Sequence, residues 1–186
     1  MNQEKINKIN DVEFELMYDS LFGTPVSVST NKDSNKKYVN FMVNHLITGN
    51  ANKLHSVELD KEKMSYALQE RKARMMELLL LNTKNGELMF RNENVAKTDI
   101  RENIKYAVNF PTKFVTMTQF MYTNLRPEIQ SEMVKNFAKN ISMLNRQNLL
   151  SEQAMNFATE HMMNVDSRFK NILARETNKE EVAFVA

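Results

Sequence analysis

Metal or acid–base chemistry by histidine in this chain would have to run through His45, His55 and His161, the only three in 186 residues. None stands at a metal-ligand spacing from another. His161 lies in "TEHMM" directly after Glu160, and adjacent helical residues diverge by about 100°, so the two cannot act as an i, i+4 ligand pair. Each histidine therefore reads as structural or solvent-facing. The chain has no cysteine, which rules out disulfides, thiolate metal sites, iron–sulfur clusters and a cysteine nucleophile. Three glycines are too few for a standard phosphate-cradling loop, and no G-x-S-x-G elbow occurs. The acidic residues are scattered or stand where helix caps belong. These features point away from an enzyme and imply no cofactor and no metal.

Basic chemistry concentrates in "ERKAR", residues 70–74. Arg71, Lys72 and Arg74 are the candidate nucleic-acid contacts, through phosphate neutralisation, although a solvated helix face accounts for the same residues. Net charge is only +2, and the charges mix along the chain instead of forming a block, so composition alone does not imply nucleic acid. Residues 99–121 have the outline of two helices around a turn. That turn carries Asn109, Phe110 and Pro111 where a DNA-reading module usually has glycine.

The elements that must position these groups read as mostly helical. Few Gly and Pro disfavour a many-stranded β fold. Fourteen Met with no Trp suggest an adaptable core. Asn10 and Glu13 form a capping box for a helix over 11–22, stopped by Gly23. Residues 23–37 read as a polar loop. Tyr38, Phe41, Met42 and Leu46 mark a short amphipathic helix ending at Gly49. Asp60 caps a helix carrying Met64, Leu68, Met75 and Leu79. Asn85–Gly86 signals either a small hairpin near residues 79–90 or a helix C-cap. Asp99 and Glu102 open a short helix that Pro111 ends, and 112–120 is a strand or a lead-in to the next helix.

"NLRPEIQSEMVKNFAKNISML", 124–144, is the plainest helix. Pro127 suits its first turn, and Ile129, Met133, Phe137, Ile141 and Leu144 form its stripe, widened by Val134 and Ala138. Lys135, Asn136, Lys139 and Asn140 fall on its flanks and back. Ser151 caps a last long helix whose seam is Met155, Ala158, Met162, Val165, Phe169 and Ile172. The expected fold is a helical bundle, one domain over 1–176, with a C-terminal tail over 177–186. Within that tail Val182, Phe184 and Val185 are candidate docking residues, since an apolar tip after "RETNKEE" suits a pocket or strand addition on a partner. "MNQEKINKIN" has no apolar stretch of signal-peptide type, and no apolar run approaches the roughly 18 residues of a membrane span. A cytoplasmic birthplace and no membrane partner are the expectation.

Two stretches resemble the tail tubular protein A family, the head-to-tail adaptors of short-tailed phages. One is the first helix followed by "LFGTPVS", 21–27. The other is "MTQFMYTNLRPEIQSEMVKNFAKNISML", 117–144; in that family a strand and an acidic-aromatic turn give way to a Pro-started helix with alanine and aromatic residues on its inner face, and a further helix closes the bundle, as 151–173 would here. The middle of the chain, with "ERKAR" and no Trp, departs from the family pattern. The resemblance implies a non-catalytic virion component: a ring of about twelve copies between portal and tail nozzle, with DNA only as passing cargo. The alternative is a small intracellular, phage-encoded helical regulator that binds nucleic acid or a host protein.

Overall fold

The computed structural model describes residues 9–21, 23–43, 54–63, 115, 118–119, 122–123 and 125–178. In chain order these form α1 (Asp11–Ser20), β1 (Gly23–Thr30), β2 (Lys37–Val43), β3 (Leu54–Glu58), α2 (Pro127–Arg146), α3 (Glu152–Val165) and α4 (Phe169–Asn178). The strands make an antiparallel sheet in the order β1-β2-β3. The fold is thus mixed α and β, which corrects the expectation of a mostly helical bundle. The helix expected from Asp60 (beyond residue 63), the hairpin near 79–90, the helix from Asp99 and the segment 177–186 (beyond Asn178) lie outside the described residues.

Two misreadings account for the sheet. Residues 23–30 looked like loop because they are small and polar, but "GTPVSVST" is a strand whose Thr24, Ser27 and Ser29 occupy the solvent face. Residues 37–43 looked helical through Tyr38, Phe41 and Met42. The period that matters is two: Val39 and Phe41 are buried while Tyr38, Asn40 and Met42 are half-buried on the opposite face. Asn31 closes the β1–β2 hairpin, its Oδ1 accepting from the Asp33 and Ser34 amides, with Asn35 at φ 62°. The Asp60 carboxylate accepts from the Lys37 amide at 2.7 Å.

α1 starts as expected. The Asn10 side chain accepts from the Glu13 amide at 2.8 Å and Glu13 returns the bond to the Asn10 amide at 3.3 Å. Its end differs. Gly23 is not the cap but the first residue of β1, where a Cβ would stand 3.2 Å from Met42 O and 3.3 Å from Asp19 O. Glycine is there for close backbone approach. Nor does α1 bury one face alone: every residue from Val12 to Ser20 is buried. Its acids are matched accordingly, Glu15 by Lys61 and Glu13 by backbone amides.

α2 follows the expected stripe, with Met133, Val134, Phe137, Ala138, Ile141 and Leu144 all buried. It ends in a Schellman turn: Leu149 N donates to Leu144 O and Asn148 N to Asn145 O, both at 3.0 Å, with Asn148 at φ 58° in the role usually given to glycine. The last long helix is two. α3 stops at Asp166, in extended conformation, and α4 begins at Phe169. Asp166 Oδ1 takes the Arg168 amide at 2.9 Å, so its carboxylate organises the start of the next helix and breaks the continuous seam. The buried face of α3 centres on Ala154, Phe157, Ala158, His161 and Met162.

One core joins both layers. α1 packs on β1, β3, α2 and α3, and α2 also lies against β1. Phe14 meets Phe157 edge-on at 5.2 Å, and Phe137 packs on Phe169 at 6.1 Å.

Candidate functional site

The residues singled out from sequence divide sharply. Arg71, Lys72, Arg74, Val182, Phe184 and Val185, together with His45, lie outside the described residues. His161 is buried in α3, its ring stacked on Phe157 at 6.1 Å. Loss of hydration pushes its pKa down to about 4, so it is a neutral core histidine near pH 7. His55 is half-buried in β3, paired with Phe41 on the helix-facing side of the sheet. The structure does not bring these two histidines into one site. Among the described residues no group of three or more His, Asp or Glu side chains could hold a metal.

A cavity of about 600 Å³ opens where the start of α1, the chain after β3 and the α2–α3 turn meet, lined by Asn10, Val12, Glu13, Leu59, Lys61, Glu62 and residues 148–151. Its polar groups hold the chain together. Glu13 accepts from the Ser151 amide at 2.6 Å as well as from Asn10, so one carboxylate lies between the N-termini of α1 and α3. That is where the helix dipoles favour negative charge. Lys61 pairs with Glu15. The Ser151 hydroxyl accepts from the Ala154 amide at 3.1 Å, which makes it a helix cap and not a poised nucleophile.

The sheet offers a second surface. Val39, Phe41 and Val57 face the helices and are buried. The opposite face carries three cross-strand rows: Thr24–Met42–Leu54, Ser27–Asn40–Ser56 and Ser29–Tyr38–Glu58. Asn40 knits the middle row, donating to Ser27 Oγ at 2.9 Å and Ser29 Oγ at 3.0 Å while accepting from Ser56 at 2.7 Å. A bulge between Pro25 and Ser27 leaves Val26 38% exposed, and Leu54 is 58% exposed.

Two polar residues matter more than sequence reading allowed. Asn140, placed on the back of its helix by pattern, is fully buried and donates to Ser20 O at 3.0 Å and Gly23 O at 2.7 Å. It ties α2 to the α1–β1 junction. Asp166 accepts from Tyr122 Oη at 2.9 Å and from the Arg168 guanidinium at 2.9 Å, which holds its pKa down to about 2. For Asn140 the available signal was a single Asn four residues after Asn136, no stronger than a solvent position. For Asp166 it was an Asp–Ser pair inside a helical seam.

No family model, curated protein or solved structure matches the chain. No helix among the described residues is long and apolar enough to cross a membrane.

Proposed function

We propose that the protein is a non-catalytic assembly subunit: a connector that closes into a ring between the portal and tail of a short-tailed phage, as its sequence resemblance implies. The observation that carries the assembly reading is the sheet. One of its faces is committed to the core, while the other carries Leu54 at the end of β3, an outer strand among the described residues. A ring needs two different complementary surfaces on each subunit, and an edge strand beside an apolar side chain is one such surface. The buried carboxylates support the same reading, since Glu13, Glu15 and Asp166 are spent on backbone amides, Lys61 and Arg168.

Quantitative mass spectrometry of particles from the source organism tests the proposal by counting this chain against the main shell protein. The connector reading expects on the order of a dozen copies per particle. Absence from particles overturns it. If the isolated protein also bound nucleic acid with a steep salt dependence that Arg71→Glu, Lys72→Glu and Arg74→Glu abolish, a regulator would take its place.

A further inference from the structure

α4 begins without an ordinary cap. Phe169 is its first residue, so Arg168 stands where Ser, Thr, Asp or Asn would usually accept from the first turn. A guanidinium has no acceptor to offer. The Asp166 carboxylate is spent nearby: Arg168 takes both its oxygens and Tyr122 shares one of them. The amides of the first turn therefore find other partners. Phe169 N donates to the Asp166 carbonyl and Ile172 N to the Arg168 carbonyl, both at 3.0 Å. Lys170 N donates to the sulfur of Met163, at 3.3 Å, across the corner from α3.

A thioether is a weak acceptor for that position. The first turn of α4 carries no acidic residue, so nothing negative answers the positive end of its dipole. A sulfoxide would answer it, because its oxygen is strongly polar and its sulfur already stands at the amide. We propose that Met163 is a modification site for hydrogen peroxide, and that the methionine sulfoxide formed there caps α4 better than the thioether does. The step is a two-electron oxidation of sulfur. A sulfur lone pair attacks one peroxide oxygen, the O–O bond breaks as the S–O bond forms, and the second oxygen leaves as water with both protons. An amide holds an oxygen acceptor at about 2.9 Å, so the sulfur bearing it draws back by roughly half an ångström. The rotatable bonds of methionine absorb such a shift.

Position separates Met163 from the other methionines. Met17, Met133 and Met162 are buried in the core, where a new oxygen would be stranded without a donor. Met42, Met143 and Met155 are half-buried like Met163, but among the described residues only the Met163 sulfur meets a backbone amide. Oxidation at those sites loosens packing, whereas at Met163 it tightens the α3–α4 corner.

The full-length protein is treated with dilute hydrogen peroxide beside free methionine in the same tube. Peptide mass mapping locates the sulfoxides, and amide hydrogen exchange followed by NMR reads Lys170. Oxidation of Met163 is expected to slow exchange at Lys170 by roughly three- to tenfold, the gain from a weak to an ordinary hydrogen bond. Met163→Gln, which carries an amide oxygen near the position of the sulfoxide oxygen, should slow Lys170 comparably without peroxide. Met163→Leu keeps the side-chain volume; its Lys170 should exchange faster than in the native chain and ignore peroxide. Three results overturn the proposal: Met163 unmodified when the free methionine is fully converted, Lys170 exchange unchanged or faster once Met163 is oxidised, or a peroxide response at Lys170 that persists in Met163→Leu.

Discussion

Asn140 fastens three elements with one amide. Its two N–H groups go to the carbonyls of Ser20 and Gly23, both at the turn from α1 into β1. Truncation leaves two buried acceptors unpaired, each costing about 1–3 kcal/mol, so Asn140→Ala should lower stability by about 2–4 kcal/mol in urea denaturation. Asn140→Asp, of the same shape, places an acceptor against two carbonyls and should be at least as damaging; a neutral result for either would show that the junction is held elsewhere. His161 adds a pH dependence whose sign follows from burial. Its folded-state pKa, about 4, lies below the ordinary 6.5, so the unfolded chain takes up the proton first as pH falls. Stability is fully present above pH 6.5 and declines down to pH 4, by up to about 3 kcal/mol. Asp166, held at about 2 by Arg168, loses its contribution lower, between its ordinary 3.8 and 2. Urea midpoints at pH 7 and pH 4.5 should differ for the native protein, and His161→Leu should reduce that difference markedly while leaving any loss below pH 3.8 in place.

Among elements, legibility tracked how much of the deciding chemistry was local. The α1 capping box and the proline start of α2 are each set within one turn of helix, and both were readable. β2 was not, because "YVNFMV" satisfies a helical face through Tyr38, Phe41 and Met42 as well as a strand face through Val39 and Phe41; only β1 and β3 on either side decide between the two periods. Likewise the Ser and Thr of β1 look like loop until Asn40 gives two of those serines a partner across the sheet. The seam over 155–172 has regular spacing, yet a carboxylate that bonds the backbone two residues ahead outcompetes continuous helix at Asp166. The candidate site was less legible than the fold, since the cavity gathers residues from α1, the chain after β3 and the α2–α3 turn that lie far apart in sequence. Gly23 belongs to this scale as well. Its absent side chain lets β1 approach Met42 O and Asp19 O, backbone atoms that cannot swing aside. Gly23→Ala should cost about 1–3 kcal/mol through the forced shift, measurable as a lower melting temperature, whereas Ser29→Ala on the exposed face should stay within about 0.5 kcal/mol.

At the scale of the molecule, the sheet and the helices behave as one body because α1 is buried on every side between them. Phe14 is fully buried in α1 and sits edge-on to Phe157 of α3, while Leu16, Met17 and Tyr18 join the same cluster as Val39 and Phe41 of the sheet. Cutting Phe14 back to alanine removes an aromatic ring at that junction and should cost about 3–5 kcal/mol. If the layers share one cooperative core, the loss must appear equally on both sides of α1. Native-state hydrogen exchange reads this directly: the protected amides of β2 and of α2 should open with the same free energy in the native chain, and Phe14→Ala should lower both by the same amount. A fall confined to the helices would mean that the sheet stands as its own folding unit. An equal fall is the expected result, because α1 touches both layers and its buried side chains belong to the same cluster as those of the sheet and of α2 and α3.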